Sequence, residues 1–219
     1  SEVIEDVRWV KLEEAHSNYI GHISKVEFYK DKLFVEDSET GIFVYDNNGR
    51  YLTSIGSSGR GPEEIESLGH FTLDKANDQI IINDDRRSSL VTFDFQGKFI
   101  QSKSTPFRFG EFVMLNDNFV FHTNKRQNPH FAAIANYSMV IGTNQTEIVS
   151  RAFHFKDEQA QIKIGGYNQL TNYGNQVLFN PILSDTIFQI NEKGIFPKYI
   201  IDLGNRGLPN RYDFNINTN

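Results

Sequence analysis

The sequence predicts an all-β fold, a β-propeller built from four-stranded antiparallel blades, with about four blades in this chain. The main observation is a strand–turn–strand unit that occurs three times, at residues 41–55, 89–103 and 186–196. The glycine of its turn recurs after 48 residues and again after a further 97, which is about two periods. Repeats of roughly 40–50 residues that each hold four short strands are typical of propeller blades.

The composition agrees with a β-rich globular protein and excludes several classes of function. Aromatic residues make up 13% of the 219 residues, with 19 Phe and 9 Tyr, and these side chains favour half-buried strands. The net charge of −6 argues against a nucleic-acid partner, because such binding depends on basic patches. The sequence has no cysteine, hence no thiol nucleophile or disulfide, and no apolar run long enough to span a membrane.

Turn residues divide a propeller domain at residues 1–204 into a leading strand and four blade-sized units. Residues 7–12 alternate between apolar and polar side chains, which predicts one strand without a nearby hairpin partner. A helix with Val3, Val7 and Val10 on one face is the alternative. In a ring of sheets such a leading strand can complete the last blade. The blades are expected at about 23–55, 69–103, 110–155 and 166–203, followed by a polar tail or linker at 205–219.

The third unit departs from the pattern of the other three. Its first two strands are clear at 112–115 and 119–123, but the Asp-x-x-Gly turn is missing. We expect outer strands at 131–135 and 138–141, and an insertion or a longer outer edge at 142–165. The main competing folds, a pair of immunoglobulin-like sandwiches or a twisted barrel, would not require such a repeat.

Part of the sequence resembles a known family. Residues 42–52 form the strand–turn–strand unit, and the run Ile-Gly-Ser-Ser-Gly-Arg-Gly-Pro-Glu-Glu follows at 55–64. Together with residues 184–190 and 197–204, these segments resemble the six-bladed, NHL-like β-propellers of Bacteroidetes, a domain of unknown function. The resemblance implies about four blades of six and export, in many members as lipoproteins. The lipidated cysteine is not in this sequence, and the family offers no catalytic residues to carry over.

The sequence lacks the motifs that would identify a cofactor, a metal site or a catalytic triad. The glycine-rich segment 56–62 lacks the lysine and the helix of a phosphate-binding loop, and two glutamates follow Pro62. The turn at Asp46 starts like a calcium loop, but its twelfth position is Ser57, which cannot supply a bidentate carboxylate. The histidines lack metal-binding spacing, and no Gly-x-Ser-x-Gly sequence occurs. We therefore predict no cofactor and no metal.

The topology of a four-strand meander predicts where a binding site would lie. Loops between the second and third strands, and crossovers between blades, emerge on one face, which we call the loop face; the short turns emerge on the other. Binding residues concentrate on loops held by a rigid scaffold, so we expect a site on the loop face. The candidates are Asp37, Glu39, Arg60, Glu63, Asp84, Asp85, Arg86, Arg87, Lys125, Arg126, His130 and Asp185.

Two functions are compatible with these observations. The first is a non-catalytic binding or scaffold propeller of the cell envelope that recognises a protein, peptide or glycan on the loop face. The alternative is a propeller enzyme of the lactonase, lyase or glycosidase type with its site at the central channel. Only His70, Glu111 and Asn168 lie near the starts of innermost strands and suit such chemistry, so binding is favoured.

The location and further partners follow from the resemblance and the architecture. The family resemblance implies the periplasm or the cell surface, with a possible lipid anchor outside this chain. If two blades are absent, an open blade edge could also support self-association.

Overall fold

The architecture is an all-β propeller of four four-stranded antiparallel blades, which confirms the predicted fold class. A computed structural model describes residues 7–14, 19–143, 147–157, 168–182, 184–202 and 204. In every blade the strands pair in chain order. Blade 1 contains β1 (Ile23–Tyr29), β2 (Lys32–Asp37), β3 (Gly41–Asp46) and β4 (Tyr51–Ile55); blade 2 contains β5 (Leu68–Asp74), β6 (Gln79–Asp84), β7 (Ser89–Asp94) and β8 (Phe99–Ser104). Blade 3 contains β9 (Glu111–Leu115), β10 (Asn118–His122), β11 (Tyr137–Gly142) and β12 (Ile148–His154); blade 4 contains β13 (Leu170–Tyr173), β14 (Gln176–Phe179), β15 (Thr186–Asn191) and β16 (Gly194–Ile200).

The repeated hairpin is set by its turn. In blade 1 the Asp46 carboxylate accepts hydrogen bonds from two backbone amides of the turn, at 2.8 and 2.9 Å, and Gly49 has a φ of +84°. In blade 2 Asp94 accepts the same two bonds, both at 2.9 Å, and Gly97 has a φ of +85°. An aspartate that caps its own turn and a glycine with positive φ explain the sequence repeat.

Successive blades pack face to face through apolar side chains. One cluster joins blades 1 and 2 through residues such as Phe34 and Ile82. A phenylalanine-rich cluster that includes Phe121 joins blades 2 and 3. A third cluster, with Phe153 and Phe188 in edge contact, joins blades 3 and 4. Among the described residues, no core cluster joins blade 4 to blade 1.

The predicted leading strand is not formed. Residues 7–14 have no regular secondary structure and lie on blade 1, where the Glu13 amide donates to the Gly49 carbonyl at 2.8 Å. Leu12 packs against Phe43 and Tyr45, on the face of blade 1 that points away from blade 2. Within this segment Val10 and Leu12 are partly buried, whereas Val7 and Trp9 are exposed, so only part of the apolar pattern packs on blade 1.

Blade 3 has four strands, but its outer half differs from the prediction. Residues 131–135 do not form a strand; Ala132–Ile134 is a 3-10 helix that places Ile134 in the core between blades 2 and 3. The third strand is β11, and the expected insertion supplies the fourth strand, β12. The predicted tail at 205–219 lies outside the described residues.

Candidate functional site

Two aspartates that were expected to bind a ligand instead fix the loop face to the scaffold. Asp37 ends β2 and is almost fully buried. Its carboxylate accepts four backbone amides: Gly21 and His22 at 2.6 and 2.9 Å, and Glu39 and Thr40 at 2.9 and 3.0 Å. Burial opposes ionisation, but these hydrogen bonds outweigh it and lower the pKa of Asp37 to about 2.

Asp84 performs the same task in blade 2. It ends β6, is fully buried, and accepts the amides of Glu66 at 2.8 Å and of Ser67 and Arg87 at 3.2 Å. In both blades a buried carboxylate thus joins the loop between the second and third strands to the segment that precedes the innermost strand. The lone pairs of Asp37 and Asp84 are used by the protein itself.

Arg87 holds the glycine-rich crossover between blades 1 and 2. Its guanidinium donates to the carbonyl oxygens of Gly61 and Glu64 at 2.9 and 3.1 Å, and the Glu64 carboxylate accepts the Gly61 amide at 2.6 Å. A short parallel bridge between Ser58 and Ile65 closes this loop at its base. The segment is therefore an internally hydrogen-bonded crossover between blades 1 and 2.

Three arginines meet around one carboxylate on the loop face. The guanidinium groups of Arg60, Arg86 and Arg87 approach Glu66 at 3.5 to 3.8 Å. The side chains of Arg60 and Arg86 are 83% and 66% exposed, whereas that of Glu66 is only 22% exposed. Neither Arg60 nor Arg86 donates a hydrogen bond to a described residue, in contrast to Arg87.

The remaining loop-face candidates are dispersed over all four blades. Arg126 donates to Asp85 at 2.9 Å and links blade 3 to blade 2. Lys125, next to it, is partly buried, and burial lowers its pKa. Residues His130, Asp185, Glu39 and Glu63 are exposed; the His130 ring bonds to the Pro106 carbonyl at 2.9 Å, and the Asp185 carboxylate accepts the Thr186 hydroxyl at 2.8 Å.

A small cavity lies on the loop face beside the three arginines. Its volume is about 220 Å³, and it opens between the loop after β2 and the crossover that leads to β5. Glu66 is part of its lining, and the guanidinium groups of Arg60 and Arg86 lie 3.5 and 3.8 Å from the Glu66 carboxylate. The structure thus brings Arg60, Arg86 and Glu39 to one end of the interface between blades 1 and 2.

The end of the central channel holds a second polar cluster. Glu111 is buried at the start of β9, and its carboxylate accepts the amides of Gln169 and Leu170 at 2.8 and 3.1 Å. Burial raises the pKa of Glu111, against the effect of these hydrogen bonds. Asn168 donates to the Ser24 carbonyl at 3.2 Å, which connects the start of blade 4 to blade 1. The functional groups of Glu111 and Asn168 therefore connect blades.

His70, the third channel candidate, faces a glutamate that sequence reasoning missed. His70 Nδ1 lies 3.7 Å from Glu36 Oε2, and both residues are buried. Burial, helped by the charge of Lys25, lowers the pKa of His70 to about 3, so the pair is not an ion pair at neutral pH. Burial also raises the pKa of Glu36, and Glu36 Oε2 has no hydrogen-bond partner.

Lys25 in β1 is the cation at this channel end. Its Nζ lies 2.8 Å from Glu27 Oε1 and 2.6 Å from the Phe71 carbonyl oxygen, and only 12% of its side chain is exposed. The sequence signal for Glu36 is a charge inside an apolar strand, because it follows two buried apolar residues of β2. Charged residues are rarely buried without partners, so such positions indicate a polar cluster.

Metal-binding clusters and membrane-spanning helices were sought in the described ranges. No group of three His, Cys, Asp or Glu side chains in them is arranged to hold a metal ion. Within the same ranges, no helix has the length and apolarity needed to cross a bilayer.

A family model covers the whole chain. The model of DUF4934, a domain of unknown function, matches residues 1–219. The chain belongs to the DUF4934 family. No curated protein matches the DUF4934 chain.

Solved structures share the fold of this DUF4934 chain. A putative exported protein from Bacteroides fragilis is 17% identical with a TM-score of 0.76, and the match covers 90% of this chain and 55% of that one. A member of the duf4221 family from Bacteroides vulgatus is 12% identical with a TM-score of 0.60, over 88% and 61% of the two chains. PorZ of Porphyromonas gingivalis, described as an essential bacterial surface component of the type-IX secretion system, is 10% identical with a TM-score of 0.52, over 82% and 21%. The DUF4934 chain therefore spans 55% to 61% of the first two proteins, and at these identities the likeness shows the fold alone.

Proposed function

We propose that this DUF4934 chain is a non-catalytic binding propeller of the cell envelope that recognises its ligand on the loop face. The observation that carries the proposal is the way Asp37 and Asp84 fix the loops of this face. Asp37 holds the backbone on one side of a cavity and Asp84 holds it on the other, while charged side chains such as Arg60 and Arg86 remain exposed. Loops that are already ordered lose little conformational entropy when they bind.

The periplasm or cell surface is the proposed location. A fold neighbour is described as a putative exported protein, and another as a bacterial surface component. The absence of cysteine is compatible with export, since the domain folds without disulfides. These observations support the envelope as the place where the loop face meets its ligand.

An enzyme at the channel end is the second candidate, and the observation that favours it is the unpartnered Glu36 Oε2 beside His70. Buried groups with shifted pKa values are common in active sites. However, Glu111 and Asn168 at the same end are used by contacts between blades. The test is hydrolysis of a panel of lactones and glycosides. If the wild type hydrolyses a panel member, and both Glu36→Gln and His70→Gln lose this activity while they remain folded, the chain is an enzyme instead.

The binding proposal is tested with two triple variants of matched charge. Glu39→Ala, Arg126→Ala and Asp185→Ala change the loop face; Lys75→Ala, Asp117→Ala and Glu192→Ala change the opposite face, and all six residues are in loops or turns. Biolayer interferometry would measure binding to a panel of neutral and acidic oligosaccharides and of acidic and basic peptides. We expect at least one panel member to bind, and only the loop-face variant to lose that binding. If no panel member binds, or if both variants lose binding equally, the proposal is refuted.

A further inference from the structure

The cavity on the loop face, between blades 1 and 2, has walls that are rich in hydroxyl and carboxylate groups. Its lining includes Ser38, Glu39 and Thr40 from the loop after β2, and Ser58, Glu66 and Ser67 from the crossover to β5. Its volume of about 220 Å³ lies below the range of about 300–1,000 Å³ typical of drug-sized ligands. The cavity therefore admits one small polar unit of a ligand.

Both walls of this cavity are fixed by the buried aspartates. Asp37 accepts the amides of Glu39 and Thr40, and Asp84 accepts those of Glu66 and Ser67. The same residues that line the cavity are thus the ones whose backbone is held in place. Such a cavity exists before the ligand arrives, which reduces the entropic cost of binding.

Beside the lining residue Glu66 lie two guanidinium groups, those of Arg60 and Arg86, which donate no hydrogen bond to a described residue. Arg60 and Arg86 approach Glu66 only at 3.5 and 3.8 Å, which is longer than a charge-assisted hydrogen bond of about 2.7–2.9 Å. Arg87 is different, because its donors are occupied by carbonyl oxygens of the crossover. Exposed arginines of this kind recognise carboxylates in a planar, bidentate geometry.

We propose that this cavity binds one carboxylated sugar unit of an acidic polysaccharide, a ligand class that rests on the proposed binding function. The sugar carboxylate accepts hydrogen bonds from Arg60 and Arg86, which lie beside Glu66. The ring hydroxyls donate to the carboxylates of Glu39 and Glu66 and exchange hydrogen bonds with the serine and threonine hydroxyls. The two apolar side chains in the lining, Ile65 and Leu68, contact the carbon face of the ring.

The carboxylates of the cavity favour a sugar over an acidic peptide. Glu39 and Glu66 would repel a second acidic side chain, whereas they accept hydrogen bonds from hydroxyl groups. A polyhydroxylated ring with a single carboxylate satisfies both the arginines and the glutamates. A peptide offers one acid per side chain and few hydroxyls, and it leaves the glutamates without donors.

Calorimetry with trigalacturonic acid, at low salt, tests this proposal. We expect binding to the wild type, loss of at least about tenfold in affinity for each of Arg60→Ala and Arg86→Ala, and a similar loss for the fully methyl-esterified sugar. Arg50→Ala and Arg108→Ala remove exposed arginines elsewhere and should bind as the wild type does. Thermal melts check that each variant is folded, which is expected because all four side chains are exposed.

Three outcomes would overturn the proposal. Trigalacturonic acid and its ester could bind equally, the Arg60 and Arg86 variants could bind as well as the wild type, or a tetraglutamate peptide could bind with equal affinity at the same arginines. If another panel member binds the loop face while trigalacturonic acid does not, the ligand class is wrong and the binding function stands. If nothing binds the loop face, both are wrong.

Discussion

Lys25 Nζ lies 2.6 Å from the carbonyl oxygen of Phe71 and 4.7 Å from the centre of its ring. This contact joins the innermost strands of blades 1 and 2, β1 and β5. The same ammonium group bonds to Glu27, and its charge favours the ionised forms of Glu36 and Glu111. One lysine therefore connects two blades and offsets part of the charge of the carboxylates around the channel end.

Replacement of this lysine should destabilise the propeller in a pH-dependent way. We expect Lys25→Met to cost about 2 kcal/mol of unfolding free energy near pH 8, because Glu27 loses its partner. Without Lys25 the pKa values of Glu36 and Glu111 rise further in the folded protein, so the folded state takes up protons more readily than the unfolded state. The deficit should shrink as the pH falls from 8 to 5, as measured by urea denaturation.

The control for this experiment is Lys75→Met, which removes an exposed lysine from the turn between β5 and β6. It should change the unfolding free energy by less than about 0.5 kcal/mol at either pH. If Lys25→Met loses the same unfolding free energy at pH 8 and at pH 5, the charge of Lys25 does not act on Glu36 and Glu111.

The buried aspartates make a second prediction. Asp37→Ala leaves four backbone amides without their acceptor and should cost about 3 kcal/mol at pH 6. The folded pKa of about 2 lies below the ordinary value of 3.8, so this stabilisation is complete above pH 3.8 and is lost as the pH falls through 2. The difference in unfolding free energy between Asp37→Ala and the wild type should therefore narrow mainly between about pH 4 and about pH 2. Asp117→Ala, in an exposed turn, is the matched control and should be neutral.

His122 should contribute to acid sensitivity. Its ring is buried against Phe179, its Nδ1 has no hydrogen-bond partner, and burial lowers its pKa from 6.5 to about 3. The unfolded chain therefore binds a proton between pH 6.5 and pH 3 that the folded chain does not, and stability falls as the pH falls through this window. Relative to the wild type, His122→Phe should therefore have an unfolding free energy that is higher by about 2 kcal/mol more at pH 5 than at pH 8. Equal changes at the two pH values would contradict the prediction.

Gly49 should be needed to hold the first segment of the chain on blade 1. A Cβ at this position would lie 2.1 Å from the Lys11 carbonyl oxygen, in a backbone with a φ of +84°. Gly49→Ala should therefore displace residues 7–14 and expose Arg8 and Lys11 to trypsin. Gly174→Ala is the control: its φ is also positive, at +59°, but nothing lies within 4 Å. It should show only the conformational cost of about 1 kcal/mol and no new cleavage near Lys11.

The sequence repeat predicts which residues of the candidate site share a face, but it does not predict which contacts their side chains make. The position of Arg60, Arg86 and Glu39 on one face could be predicted, because strand order decides which loops share a face. The role of Asp37 and Asp84 could not, since two of the amides that each accepts come from a segment 15 to 18 residues earlier in the chain. The same limit applies to Glu66, whose contacts with Arg60 and Arg86 depend on how the crossover folds.

The sequence by itself determined the blade repeat. The outer hairpins of blades 1 and 2 each carry a turn aspartate and glycine, blade 4 has Asn191 and Gly194 in the same places, and these turns are local interactions. The tertiary structure decided which charged groups are free to bind. Asp84 and Arg87 lie in the same cluster of charges as Arg86, yet only the packing of blade 2 against the crossover occupies the first two with backbone partners and leaves Arg86 exposed. Hydrogen bonds between distant backbone segments are not encoded in local pattern, so the structure was needed to separate the residues that build the loop face from those that can bind on it.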